Sequence, residues 1–140
     1  MTYNELGESE SPEKRVRGDM VLNIIETEGN PFRKIILSGK APDDTGWLLH
    51  HEILEILRSR QGERLLVDIT AVQGRSNIVE AISRADRLRG EHHIHSHRIA
   101  VLELLQNQRV AQDEELVLSN RGIPVRFFFG EAEAMKWLVE

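Results

Sequence analysis

From residue 64 to the chain end, short apolar runs alternate with helix-length amphipathic segments. This alternation constrains the fold more than any other feature. "ERLLVDI", "RIAVLEL" and "PVRFFF" read as strands, while "SNIVEAISRADRLRG", "VAQDEELVLSNRG" and "GEAEAMKWLVE" read as helices. Strands and helices in this order require crossover connections, parallel pairing and helices stacked on the sheet. Upstream, "MVLNIIE" and "FRKIILSG" flank "TEGNP", where Gly29, Asn30 and Pro31 are turn residues, so an antiparallel hairpin is expected. "PDDTGWLLHHEILEILRSRQG" has a helix start and a Gly stop, with Leu49, Ile53, Ile56 and Leu57 on one face. The expected order is β-β-α-β-α-β-α-β-α: an α/β domain with one mixed five-stranded sheet and four helices. The stripe Ile78, Ala81, Ile82, Ala85 and Leu88 is expected to face the sheet, as are Ile53 and Leu57.

Composition narrows the function classes. The chain of 140 residues is long enough for one domain with a sizeable core. A net charge of −5 argues against a general nucleic-acid binder and against attachment to an anionic membrane. No cysteine is present, which excludes disulfides, thiolate metal sites and a thiol nucleophile. No apolar run approaches the length of a membrane span, and "MTYNELGESESPEKRVRG" lacks a signal-peptide core. A cytoplasmic protein is expected. Residues 1–19 carry almost no large apolar side chains and are read as a flexible tail, with the domain spanning 20–140.

Candidate site residues gather around "LLVDITAVQGRSN". Asp68 and Thr70 close a central strand, the end of an α/β sheet where ligands tend to bind. The same Asp68 can instead accept N–H groups of the following loop and shape it. Arg75, Ser76 and Asn77 precede a helix, whose free N–H groups could receive an anion. Ser76 or Asn77 could equally cap that helix, with Arg75 a solvated side chain. Trp47 suits either the core or a partner-facing position. "EHHIHSH" places His93, His95 and His97 on one side if the segment is extended, yet a zinc site wants ligands from separate elements, so a solvated linker is the preferred reading. No metal or other cofactor is expected. His50 and His51 do not form a zinc-helix motif, and no catalytic set stands out, so the chain is read as not an enzyme.

Three stretches carry a family resemblance: "ILSGKAPDD", "RLLVDITAV", and "RIAVLE" through "NRGIPVRFFFGEAEAMKWL". In this order they resemble the STAS domain, the sulphate-transporter and anti-sigma-factor-antagonist superfamily, and within it the SpoIIAA-like (STAS/SEC14-like) group. In phosphorylatable antagonists the central strand runs into D-[LI]-[ST]-x-[VL]-x-x-[MI]-D-S-[ST]-G. Asp68, Ile69, Thr70 and Val72 match its first half. Its second half is replaced by Ser76, Asn77, Ile78 and Val79, and Asn77 occupies the phosphoacceptor position. The resemblance implies a regulatory protein-interaction module without the usual phosphoacceptor serine. It implies a protein partner, with a homodimer left open. The SEC14-like label implies the alternative of a small apolar ligand or lipid.

Overall fold

The computed structural model describes the backbone of residues 13–17, 20–25, 32–40, 54, 55, 58, 64–75, 77–91 and 94–140. Six strands are described: β1 Glu13–Arg17, β2 Met20–Ile25, β3 Arg33–Lys40, β4 Arg64–Gln73, β5 Arg98–Leu102 and β6 Val125–Phe128. They form one sheet in the order β1-β2-β3-β4-β5-β6. β1, β2 and β3 pair antiparallel, and β3 to β6 form a four-stranded parallel portion. Three helices are described: α1 Ile78–Arg89, α2 Gln108–Ser119 and α3 Glu131–Val139.

Against the expected five strands and four helices, the described residues form six strands and three helices. The additional strand, β1, takes residues 13–17 out of the segment read as tail and into the sheet. Its sequence "EKRVR" has too few apolar residues to show as a strand, but only Gly18 and Asp19 separate it from β2, a short Gly-containing hairpin signal. The helix expected from residue 42 onward, with Ile53 and Leu57, lies outside the described residues apart from Leu54, Glu55 and Arg58; Leu54 is buried.

β4 is the interior strand that its apolar run implies. Leu65, Leu66 and Val67 are all buried although their side chains alternate between faces, because helices cover both sides of the sheet. One face packs Ile35, Leu65, Val67, Ile99 and Val125 with Ala85 of α1 and Leu118 of α2. The other packs Phe32, Leu66, Ala100 and Leu102 against Ala134 and Leu138 of α3.

α1 departs from its expected orientation. Ala81 and Ala85 are its buried residues and Leu88 is partly buried, whereas Ile78, Val79 and Ile82 are 46%, 68% and 37% exposed. The helical stripe is real, but its inward part is Ala81, Ala85 and Leu88, while Ile78 and Ile82 lie outside. Alanines let the helix sit close to the sheet, with Ala85 packed among Ile35, Leu65 and Leu118, and the branched side chains at the rim are left outside. The segment 94–97 is also unlike the expected solvated linker. It is a short 3-10 turn, with Ile94 and His97 buried and His95 Nδ1 2.7 Å from the Gly122 carbonyl oxygen. His95 and His97 therefore do not share an extended side, and His93 lies outside the described residues.

Candidate functional site

The site is built at the C-terminal ends of β4 and β5, where each apolar strand ends near a carboxylate. In β4, Asp68 aligns with Ile36 of β3 while Ala71 aligns with Ser38. Three steps on β4 thus match two on β3, a β-bulge at Ile69–Thr70. A bulge disturbs the ladder, and Asp68 repairs it locally: its Oδ1 accepts the Thr70 amide at 2.9 Å and the Thr70 hydroxyl at 2.6 Å. Asp68 and Thr70 are thus brought together, and among the described residues the side-chain bonds of Asp68 stay within the bulge rather than reaching along the loop.

The loop is held by a different carboxylate. Gly74, at φ +92°, turns the chain out of β4 in a conformation that favours glycine. Arg75 then folds back over the strand end. Its Nε donates to Glu103 Oε2 at 2.7 Å and its Nη2 to Glu103 Oε1 at 2.6 Å. Nη2 also donates to the Ile69 carbonyl, and Nη1 donates to the carbonyls of Val72 and Gly74. These bonds account for all five N–H donors of a guanidinium. Arg75 is neither a solvated side chain nor a receptor with donors left for an external anion; it is the fastening of its own loop.

Glu103 is 3% exposed and sits just beyond β5. Besides Arg75, its Oε1 accepts the Leu104 amide at 2.8 Å and Asn107 Nδ2 at 3.2 Å. It therefore joins the β4–α1 loop to the β5–α2 connection. Burial pushes the Glu103 carboxyl up, but the hydrogen bonds from Arg75, Leu104 and Asn107, with the Arg75 charge, outweigh it and hold the carboxyl below its ordinary value. Sequence reading missed Glu103. The signal was available: "RIAVLE" ends an apolar run on a carboxylate, as "RLLVD" does one strand earlier.

Asn77 caps α1. Its Oδ1 accepts the Glu80 amide at 2.9 Å, and Glu80 Oε1 accepts the Asn77 amide at 3.3 Å, a reciprocal capping box. Trp47 and Ser76 lie outside the described residues.

A second arginine and glutamate interact by charge between α1 and α2, Arg84 and Glu114. Burial pushes the Glu114 carboxyl above its ordinary value; Arg84 opposes the rise, Glu103 adds to it and Arg75 opposes it. Arg84 Nη1 is buried with no hydrogen-bond partner. From the sequence, Arg84 reads with Arg87 and Arg89 as part of a polar docking face for an acidic partner, and Glu114 reads as a polar-face residue of its own helix. At the far ends of these helices, Arg121 Nε meets Asp86 Oδ1 at 2.7 Å and ties them together. Among the described residues, no group of three or more His, Cys, Asp or Glu could hold a metal ion, and no helix is long and apolar enough to cross a membrane.

No family model and no curated protein matches the chain. Two solved structures are similar in fold. One is an anti-sigma factor antagonist from Mycobacterium paratuberculosis, at 13% identity and a TM-score of 0.57, covering 90% of this chain and 100% of that one. The other is an uncharacterised DUF3478-family protein with a SpoIIAA-like fold from Shewanella loihica PV-4, at 18% identity and a TM-score of 0.51, covering 90% and 98%. The chain has the SpoIIAA-like fold.

Proposed function

We propose that this SpoIIAA-like domain is a non-enzymatic, regulatory protein-interaction module that docks a protein through the start of α1 and the adjoining loop. The observation that carries this reading is the outward apolar face of Ile78, Val79 and Ile82 beside a loop fastened by Arg75 and Glu103. Apolar side chains grouped on a pre-ordered helix lose little entropy on binding and bury area when a partner covers them. Asn77, at the phosphoacceptor position of the resembled motif, caps the helix, which supports constitutive docking rather than a phosphorylation switch. The anti-sigma factor antagonist is a fold neighbour at low identity and supports the same class of role. A cytoplasmic setting fits this reading. A small apolar ligand would call for a deep apolar cavity. One cleft of the described residues, beside β6 and about 310 Å³, is open and has Glu115 and Arg126 among its walls.

The test is comparative capture from native extract with the wild type, Val79→Asp and Leu116→Asp. Val79 and Leu116 are both strongly exposed but lie on different helices. The expected result is a protein retained by the wild type and by Leu116→Asp and lost by Val79→Asp. Identical retention by all three contradicts the assignment of the surface.

A further inference from the structure

At the opposite end of the sheet, arginines gather where the parallel strands begin. Arg64 of β4 is level with Arg98 of β5, and Arg126 of β6 is level with Ala100. Residues in register share a face, as do residues two apart on a strand, so all three project toward α3. Their contacts agree. Arg64 Nη1 donates to the Leu138 carbonyl, and Arg98 Nη1 donates to the carbonyls of Trp137 and Glu140. The Arg98 guanidinium lies 5.1 Å from the Trp137 ring centroid, and that of Arg126 lies 5.7 Å from it and 5.5 Å from the Phe128 ring.

This row carries three positive charges in a protein of net charge −5, and among the described residues none of the three forms an ion pair with an Asp or Glu side chain. The helix carbonyls that face Arg64 and Arg98 supply only partial negative charge. Arg126 and Trp137 also wall the open cleft, whose floor includes Ile123, Pro124 and Val125. The cleft's carboxylate, Glu115, already accepts the Phe127 amide at 2.6 Å. The row and cleft together suit an acidic segment that also offers an apolar side chain.

We propose that this row is a docking site for an acidic segment, and that its occupant is residues 1–12 of the same chain. Those residues, "MTYNELGESESP", contain Glu5, Glu8 and Glu10, no Lys or Arg, and Tyr3 and Leu6 as apolar anchors. Topology delivers them to the right end. β1 is antiparallel to β2 and β2 to β3, so β1 runs with the parallel strands, and Glu13 lies level with Val101 and Phe127 through the shared register. β1 therefore enters the sheet running from the side on which β4 and β5 begin with Arg64 and Arg98. Five inter-strand steps from β1 to β6 span about 24 Å, and twelve extended residues reach about 40 Å. Docked there, the segment occupies the arginine row against any other acidic partner. The inference is independent of the role given to α1.

The chain has no cysteine, so Ser9→Cys in the full-length protein accepts a single bimane label, a fluorophore quenched on contact with tryptophan. Docking predicts a quenched label in dilute protein. The quenching is lost in Arg126→Gln, in the combined Glu5→Gln, Glu8→Gln and Glu10→Gln variant, and in Trp137→Phe. It is also lost when salt shortens the screening length from about 10 Å at 0.1 M to about 3 Å at 1 M. Trp137 is packed in the core, but Arg126 is exposed and the three glutamates precede β1, so those variants carry the test even if Trp137→Phe unfolds. A label that is unquenched from the outset overturns the proposal, as does quenching that survives both charge changes. Quenching that grows with protein concentration assigns the occupant to a second copy and overturns the intramolecular assignment.

Discussion

The pairs Arg75–Glu103 and Arg84–Glu114, both beside α1, are built differently. Arg75 and Glu103 meet in a two-point fork at 2.6 and 2.7 Å, and the remaining donors of Arg75 reach three backbone carbonyls. Arg84 and Glu114 feel each other's charge, but Arg84 Nη1 is left without a hydrogen-bond partner. The two carboxyls respond in opposite directions: Glu103 is held low and Glu114 is raised. Burial acts on both in the same sense, so hydrogen bonding decides the difference. The first pair stabilises its loop because every polar atom is satisfied. The second is a charge pair whose desolvation is not offset. In the proposed role, the loop at the start of α1 is the platform that the first pair holds.

The largest expected effect comes from breaking the mated pair. Glu103→Ala strands the Arg75 guanidinium and two further donors and should destabilise the fold by about 3 kcal/mol in urea unfolding. Its pH dependence has a definite sign. The folded carboxyl lies below its ordinary value, so the stability it contributes is present above about pH 4.5 and is lost as pH falls through the folded pKa. Asp68→Ala frees the Thr70 amide and hydroxyl at the bulge and should cost about 1–2 kcal/mol, less than Glu103→Ala because the site is only partly buried. Asn77→Ala removes the α1 cap at about 1 kcal/mol, checked by the same unfolding series.

The unmated pair should give the smallest change, and one of opposite sign. The folded Glu114 carboxyl lies above its ordinary value, so the stability linked to its protonation is present below about pH 4.5 and is lost as pH rises through the folded pKa. Glu114→Gln should therefore raise the unfolding midpoint at pH 7, with the gain closing as pH falls toward 4. A loss of stability at pH 7 would mean that Arg84 and Glu114 are mated after all.

The parallel strands and the three helices from residue 78 onward were legible because their periodicities follow burial directly. β1 was not, since a polar edge strand paired on one side need not be apolar. The direction of α1 was also hidden: a stripe containing both Ile78 and Ala81 does not reveal which part of it faces the sheet, and close packing chose the alanines. Asp68, Thr70, Arg75 and Asn77 all take part in the hydrogen bonds around the loop, but with other tasks than their place in the sequence suggests. Asp68 tends its own bulge, and Glu103, 28 residues from Arg75, fastens the loop. Local sequence shows that a strand-end carboxylate needs donors; it does not show which loop supplies them.

The central claim is that the Arg75–Glu103 fork holds the platform at the start of α1. Paired double-mutant cycles test it most directly: Arg75→Ala with Glu103→Ala, and Arg84→Ala with Glu114→Ala, each measured by urea unfolding at pH 7. The account predicts a coupling of about 2–3 kcal/mol for the first pair and below about 0.5 kcal/mol for the second. Equal couplings, or a larger one between Arg84 and Glu114, would contradict it.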